Sequence, residues 1–143
     1  MAVEFFSRPK SFSMTGWRLG WAAGAPEFIR ALVRVKSYVD TGPFLAVQKA
    51  GAIALEHAEA LVAPNVAELT RRRDAGVRAL REAGFAVESP KATMYLWVAL
   101  PSDLRSAAFT RRALEKGGVV GMPGRQLGPG GGGVDHLQVA VGA

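Results

Sequence analysis

The chain has 143 residues, no cysteine, 49% hydrophobic and 21% charged residues, and a formal net charge of +6. This composition suits a globular domain that buries a core; without cysteine it excludes a disulfide scaffold, a thiolate metal site and a cysteine nucleophile. The opening Met-Ala-Val-Glu-Phe-Phe is no basic-then-apolar leader, and no stretch reaches the roughly 20 apolar residues that span a bilayer, so a cytoplasmic location with no membrane partner is expected.

The elements alternate between strand and helix. Trp17 to Gly24 is short, apolar and bounded by glycine, the pattern of a buried strand. Pro26 and Glu27 open a helix, because proline is tolerated in the first turn and a carboxylate there suits the helix dipole. Phe28, Leu32, Val35 and Val39 form its apolar stripe, and Thr41-Gly42-Pro43 stops it. Phe44 to His57 is apolar on nearly every face and predicts a buried helix. Asn65 followed by Glu68 has the form of a capping box, placing a helix from there to a stop at Gly84, with Val66, Leu69, Val77 and Leu80 as its apolar line.

Ala92 to Leu100 is rich in β-favouring residues and ends at Pro101, which predicts a strand. Ser106 to Lys116 predicts a helix with Ala107, Phe109 and Leu114 turned inward. Val119-Val120 and Leu137 to Val141 predict short strands around a loop, Pro123 to Gly133. The glycines from Gly128 onward are not followed by Gly-Lys-Ser/Thr and a helix, so they are expected to form a flexible loop rather than a phosphate cradle. His57 and His136 lack ligand-spaced partners, and no metal is expected. Lys91 and Tyr95 could face a cleft, although a tyrosine in an apolar strand is more often core.

The basic balance invites a nucleic-acid partner. However, Arg71-Arg72-Arg73, Arg78 and Arg81 lie in a helix with Glu68, Asp74 and Glu82 interleaved and no aromatic among them to stack a base. A solvated helix face is expected, and no nucleic acid.

The most specific signal is Ser7 to Gly24, SRPKSFSMTGWRLGWAAG. It resembles the active-site segment of class I/II pyridoxal-phosphate-dependent aminotransferases of fold type I, usually Ser-Leu-Ser-Lys, about three variable residues, then Met-Thr-Gly-Trp-Arg-Leu-Gly. The resemblance implies that Lys10 is the catalytic and cofactor-binding lysine, Arg18 the clamp on the cofactor phosphate and Ser7 a further phosphate contact. Thr15 and Gly16 match the small residues that let the chain turn between lysine and arginine. The chemistry is consistent: a neutral lysine amine attacks an aldehyde, which requires lowering a pKa of about 10.4 in water, and a planar guanidinium holds two phosphate oxygens at once. The aromatic and apolar residues Phe5, Phe6, Phe12, Met14, Trp17 and Trp21 around them read as a buried stretch.

The likeness extends over nearly the whole chain, through Gln48, Ala92 to Val98, Pro123-Gly124 and Leu127-Gly128, and is nearest to bacterial enzymes of the diaminopimelate-pathway type. It implies an α/β fold, the C-terminal portion of the fold-type I transferase: residues 1–64 as an edge of the large cofactor domain and 65–143 as the small domain. It also implies pyridoxal 5'-phosphate as cofactor, an amino acid and a 2-oxo acid as substrates, and a homodimer or a complementing N-terminal aminotransferase part as partner. Two departures stand out. Arg8-Pro9 replaces Leu-Ser before the lysine, and proline offers neither hydroxyl nor N–H. His136-Leu137-Gln138 replaces the family's Tyr-Leu-Arg, so Gln138 sits where the substrate-carboxylate arginine is expected. The longer family members also carry, before the lysine, the aspartate that makes the cofactor an electron sink. Two functions remain open: a part of an aminotransferase that is inactive alone, or a noncatalytic binding or dimerisation module derived from one.

Overall fold

A computed structural model describes residues 2–7, 9–128, 133 and 135–142. Arg8 and Pro129 to Gly132 lie outside the described residues, and with them one motif departure and most of the expected glycine loop. The chain divides into two compact units, 1–66 and 67–143.

The first unit opens with an antiparallel hairpin, β1 (Val3–Ser7) and β2 (Gly20–Gly24). The strand expected from Trp17 starts three residues later, because Thr15–Trp17 forms a single 3-10 turn. β1 itself has no partner in the local sequence pattern; it forms because β2 returns alongside it, with Val3 opposite Gly24 and Ser7 opposite Gly20. Phe6 and Trp21 stack across the pair, ring centroids 5.0 Å apart, an arrangement that stabilises a pleated surface. The stretch expected to be buried is only partly so: Met14 is buried, whereas Phe5, Phe6 and Trp17 are exposed.

Helix α1 spans Pro26–Val39, with the expected Pro26 at its first position. Asp40 ends it, its carboxylate accepting from Lys36 Nζ at 2.6 Å and from the Gly42 backbone N–H at 2.9 Å. The Lys36 hydrogen bond, foremost, holds the Asp40 carboxyl below its ordinary pKa. Its apolar stripe is largely uncovered, as Phe28, Val35 and Val39 are exposed. Helix α2, Leu45–Glu56, corrects the expectation of a buried helix: only Gly51 and Ala54 are buried, and Phe44, Leu45, Ile53 and Leu55 face solvent. Gln48 is also exposed, its amide donating to the Pro43 carbonyl at 2.7 Å. Hydrophobicity specifies that such a helix wants cover; it does not place that cover within these residues.

Helix α3 runs Ala58–Glu82, straight through Pro64 and Asn65. The capping-box reading is therefore overturned. Asn65 is interior to the helix, and Glu68 pairs with Arg71 and Arg72, each at 2.8 Å, instead of reaching back to a cap. The expected stop at Gly84 is present. Gly84 takes φ +86°, its N–H donates to Arg81 O, and the Phe85 N–H donates to Leu80 O. That bond pair, six-to-one outside five-to-two, is the Schellman closure in which a left-handed residue satisfies the last carbonyls. Leu80 and Phe85 then both pack on the core of the second unit.

The second unit is a four-stranded antiparallel sheet, order β3 (Ala86–Val87), β4 (Tyr95–Ala99), β6 (His136–Ala140), β5 (Met122–Pro123), with α4 (Ser106–Gly117). β4 is shorter than expected because Ala92 to Met94 bend, with Thr93 at φ +80°. β5 falls at Met122–Pro123 and not at Val119-Val120, which are exposed. Alternation gives the sheet one dry face: Leu96, Val98 and Leu137 are buried and join Val77, Val87 and Leu100, with Phe109 and Val139 against them. Fully burying side chains such as Leu96 and Val98 contributes about 1.5–3 kcal/mol each. Of the α4 residues expected inward, Phe109 packs on this core, edge-on to Phe85, whereas Ala107 and Leu114 face solvent. Among the described residues no helix is long and apolar enough to cross a membrane.

Candidate active site

The three residues singled out in the first unit all lie on the hairpin or in the loop between its strands. Ser7 is the last residue of β1 and pairs with Gly20, the first of β2, so residues 9–19 belong to a loop closed at its base by that pair. Lys10 lies in the turn at the start of this loop and Arg18 near its end; both are exposed, as is Ser7. From Ser7 to Gly24 the sequence carries Arg8, Lys10 and Arg18 and not one carboxylate. An amine, a guanidinium and a hydroxyl at one hairpin end form a donor set suited to a phosphorylated aldehyde: the cations attract the dianion and the hydroxyl completes its hydrogen bonding.

Backbone geometry in the loop differs from expectation in an informative way. Gly16 is the middle residue of the 3-10 turn, but the left-handed backbone falls on other residues. Ser13 and Arg18 take left-handed φ of 54° and 52°, and a Cβ on Gly16 would meet nothing within 4 Å. A non-glycine residue held there costs on the order of 1–3 kcal/mol, which the surrounding contacts must offset, and one of the two is the candidate phosphate clamp. The loop is braced on both sides of Lys10. Thr15 Oγ1 donates to Pro9 O at 3.5 Å, and Asn65 Nδ2, on α3, donates to Ser11 O at 3.2 Å. Sequence reasoning assigned Asn65 a different task, since a contact across 54 positions leaves no local signal.

Gln138 belongs to the second unit, at the middle of β6, opposite Trp97 of β4 and Met122 of β5. It lies on the sheet face away from the dry core. There Tyr95, Trp97, His136 and Gln138 line an open cleft of roughly 1000 Å³, with Arg81 and Thr93 at its border. Trp97 and His136 stack at 5.1 Å and 11°. Tyr95 is thus a cleft residue rather than a core one, because the pleat turns it with Trp97 and sends Leu96 and Val98 inward. Arg81 is committed to structure, its Nε and Nη2 donating to Val87 O at 3.1 and 2.9 Å. Gly124, beside the cleft, could not carry a side chain: its Cβ would fall 2.7 Å from His136 O and 2.8 Å from the Trp97 ring. Among the described residues no group of three or more histidines or carboxylates could hold a metal ion.

Comparison with known proteins gives these features a context. The sequence profile of the family described as aminotransferase class I and II matches residues 6–139. The chain belongs to that family. Aminotransferases of class I and II use pyridoxal 5'-phosphate. This aminotransferase-family chain is 41% identical over 141 residues to an LL-diaminopimelate aminotransferase of Dehalococcoides mccartyi, covering 99% of the chain and 36% of the relative. It is 40% identical over 144 residues to the glutamate-pyruvate aminotransferase of Escherichia coli, covering 99% and 34%. Among solved structures, the N-succinyldiaminopimelate aminotransferase of Mycobacterium tuberculosis superposes with a TM-score of 0.88 at 30% identity, over 97% of this chain and 37% of that one. The chain thus has the α/β fold of the fold-type I aminotransferases over their C-terminal part, and it spans little more than a third of the length of the relatives it matches.

Proposed function

We propose that this chain supplies the cofactor-lysine loop and the small domain of an aminotransferase that moves an amino group between an amino acid and a 2-oxo acid, and that it is inactive by itself. The observation carrying this reading is the hairpin loop, closed at its base by Ser7 opposite Gly20, whose sequence carries Lys10 and Arg18. Residues 1–64 serve as an edge of the cofactor domain and 65–143 as the small domain. A complementing N-terminal aminotransferase part furnishes the remaining groups, and a second copy is the expected partner for dimerisation.

In this reading the cofactor, when bound, supplies an electron sink for the substrate's α-carbon. The chain's own residues do the rest of what the loop allows. Arg18 would hold the phosphate through paired N–H donors, and Ser7 Oγ would add a further contact. Lys10 Nζ, in its unprotonated form, would be the nucleophile toward the aldehyde and the group that takes up and returns a proton. Gln138 presents an amide to the open face of β4–β6, where it can orient a substrate by hydrogen bonds without contributing charge.

That last feature favours a second reading, a noncatalytic binding or dimerisation module. An amide in place of an arginine forgoes a charge-assisted carboxylate contact, whose loss costs about 2–5 kcal/mol when buried. One experiment separates the two. The chain is titrated with pyridoxal phosphate, reduced with borohydride and mapped by mass spectrometry. Label concentrated on Lys10 supports the cofactor reading; label spread equally over Lys36, Lys49 and Lys116 refutes it and leaves the module.

A further inference from the structure

We infer that Asn65 is a positioning residue for Lys10, a role that rests on the cofactor reading of the loop. The carbonyls on either side of Lys10 both accept side-chain hydrogen bonds: Pro9 O from Thr15 Oγ1 at 3.5 Å, near the limit of such a bond, and Ser11 O from Asn65 Nδ2 at 3.2 Å. The second tether anchors the loop to a different kind of support. Asn65 lies inside α3, so the loop is tied to a helix rather than to another part of itself.

The residue type is informative. Asparagine is a poor choice for a helix interior, because its amide competes with the backbone for hydrogen bonds. Here the same Nδ2 also donates to Leu61 O at 3.3 Å, one turn back. Both acceptors are carbonyls, so the amide orientation is unambiguous: the nitrogen must face them. Aspartate would keep the shape but place an acceptor against two acceptors. Alanine and leucine, better helix formers, would leave Ser11 O without this donor. The tether restrains the main chain one residue beyond Lys10 and thereby narrows the directions in which its amine can approach a bound aldehyde.

The test uses the full chain and the variants N65D, N65A and N65Q. Two readouts are taken without cofactor: hydrogen exchange of residues 9–19, and the rate of Lys10 acetylation relative to Lys36 in the same sample, over a range of pH. A third is the borohydride-fixed pyridoxal-phosphate label on Lys10. Losing one hydrogen bond of this kind should speed exchange of the loop by roughly two- to tenfold and lower the share of label on Lys10 by a similar factor, with the relative Lys10 acetylation rate displaced in N65D and N65A. Only N65Q, which keeps an amide donor, should recover part of the effect. In N65D the loop should also tighten again on acidification, because a protonated carboxyl can donate where the carboxylate cannot. Loop exchange in N65D equal to that of the parent at neutral pH, with α3 helicity intact by circular dichroism, overturns the inference. A parent chain that shows the tether by exchange yet gives no preference for Lys10 in labelling refutes the cofactor reading instead, so the two failures are distinct.

Discussion

Ser7 and Gly20 close the base of the loop that carries Lys10 and Arg18, and Gly20 is there because the strands approach too closely for a side chain. A Cβ at that position would lie 2.7 Å from the carbonyl oxygen of Phe6. Gly20→Ala is therefore expected to push β1 away from β2, destabilising the first unit by about 1–3 kcal/mol and reducing the pyridoxal-phosphate label on Lys10. Urea unfolding and peptide mapping on the same sample check both. Unchanged stability with unchanged labelling would show that the hairpin does not organise the loop.

Arg18 is expected to set affinity through the phosphate. Arg18→Gln removes the charge while keeping some hydrogen-bonding capacity, and should weaken pyridoxal-phosphate binding by about 10- to 100-fold, as loss of hydrogen bonds to a charged group implies. Pyridoxal without phosphate should bind the parent and the variant equally. Competition by inorganic phosphate against the parent, absent in the variant, is the direct measurement.

Gln138→Arg should strengthen binding of carboxylate ligands on the open face of β4–β6, by about tenfold or more if the site is completed by an N-terminal aminotransferase part. Calorimetric titration with a dicarboxylate, with and without that part, measures it. An arginine that brings no gain would indicate that this face does not receive a substrate carboxylate.

The chain is expected to self-associate. Val35, Tyr38, Val39, Phe44, Leu45 and Ile53, on or beside α1 and α2, are more than half exposed, and Phe5 on β1 is 74% exposed. A soluble monomer rarely leaves contiguous apolar patches beyond a few hundred Å² uncovered. Sedimentation velocity at low micromolar concentration should show dimers or larger species, and charged substitutions at Tyr38 and Phe44 should shift them toward monomer. A clean monomer in the parent chain would count against a covering role for a second copy.

Stability should fall in a defined acid window. Hydrogen bonds from Arg71 first, and from Arg72, lower the Glu68 carboxyl from 4.5 to about 2. In the unfolded chain this carboxyl takes up its proton near 4.5, before the folded state does, so its contribution is present above 4.5 and is lost as pH falls toward 2. The group is exposed, so the effect is small and salt-sensitive. Urea midpoints at pH 5.5, 4 and 2.5 should show a smaller loss for Glu68→Gln than for the parent.

Sequence alone determined what depends on near neighbours. Pro26 and the Gly42-Pro43 stop bounded α1, Gly84 ended α3, and the lysine-arginine spacing marked the loop, because helix ends and short motifs are written in adjacent residues. Tertiary structure decided what depends on distant ones. The pairing of β1 with β2, the course of α3 through Pro64 and the bond from Asn65 to Ser11 all join positions that no local pattern relates. It also decided which apolar residues are buried. The stripe of α1 and nearly all of α2 read as core but lie open, whereas Leu96 and Val98 are closed off while Trp97 between them lines a cleft. Hydrophobicity measures the free energy available from cover; only the arrangement of neighbouring elements determines where that cover comes from.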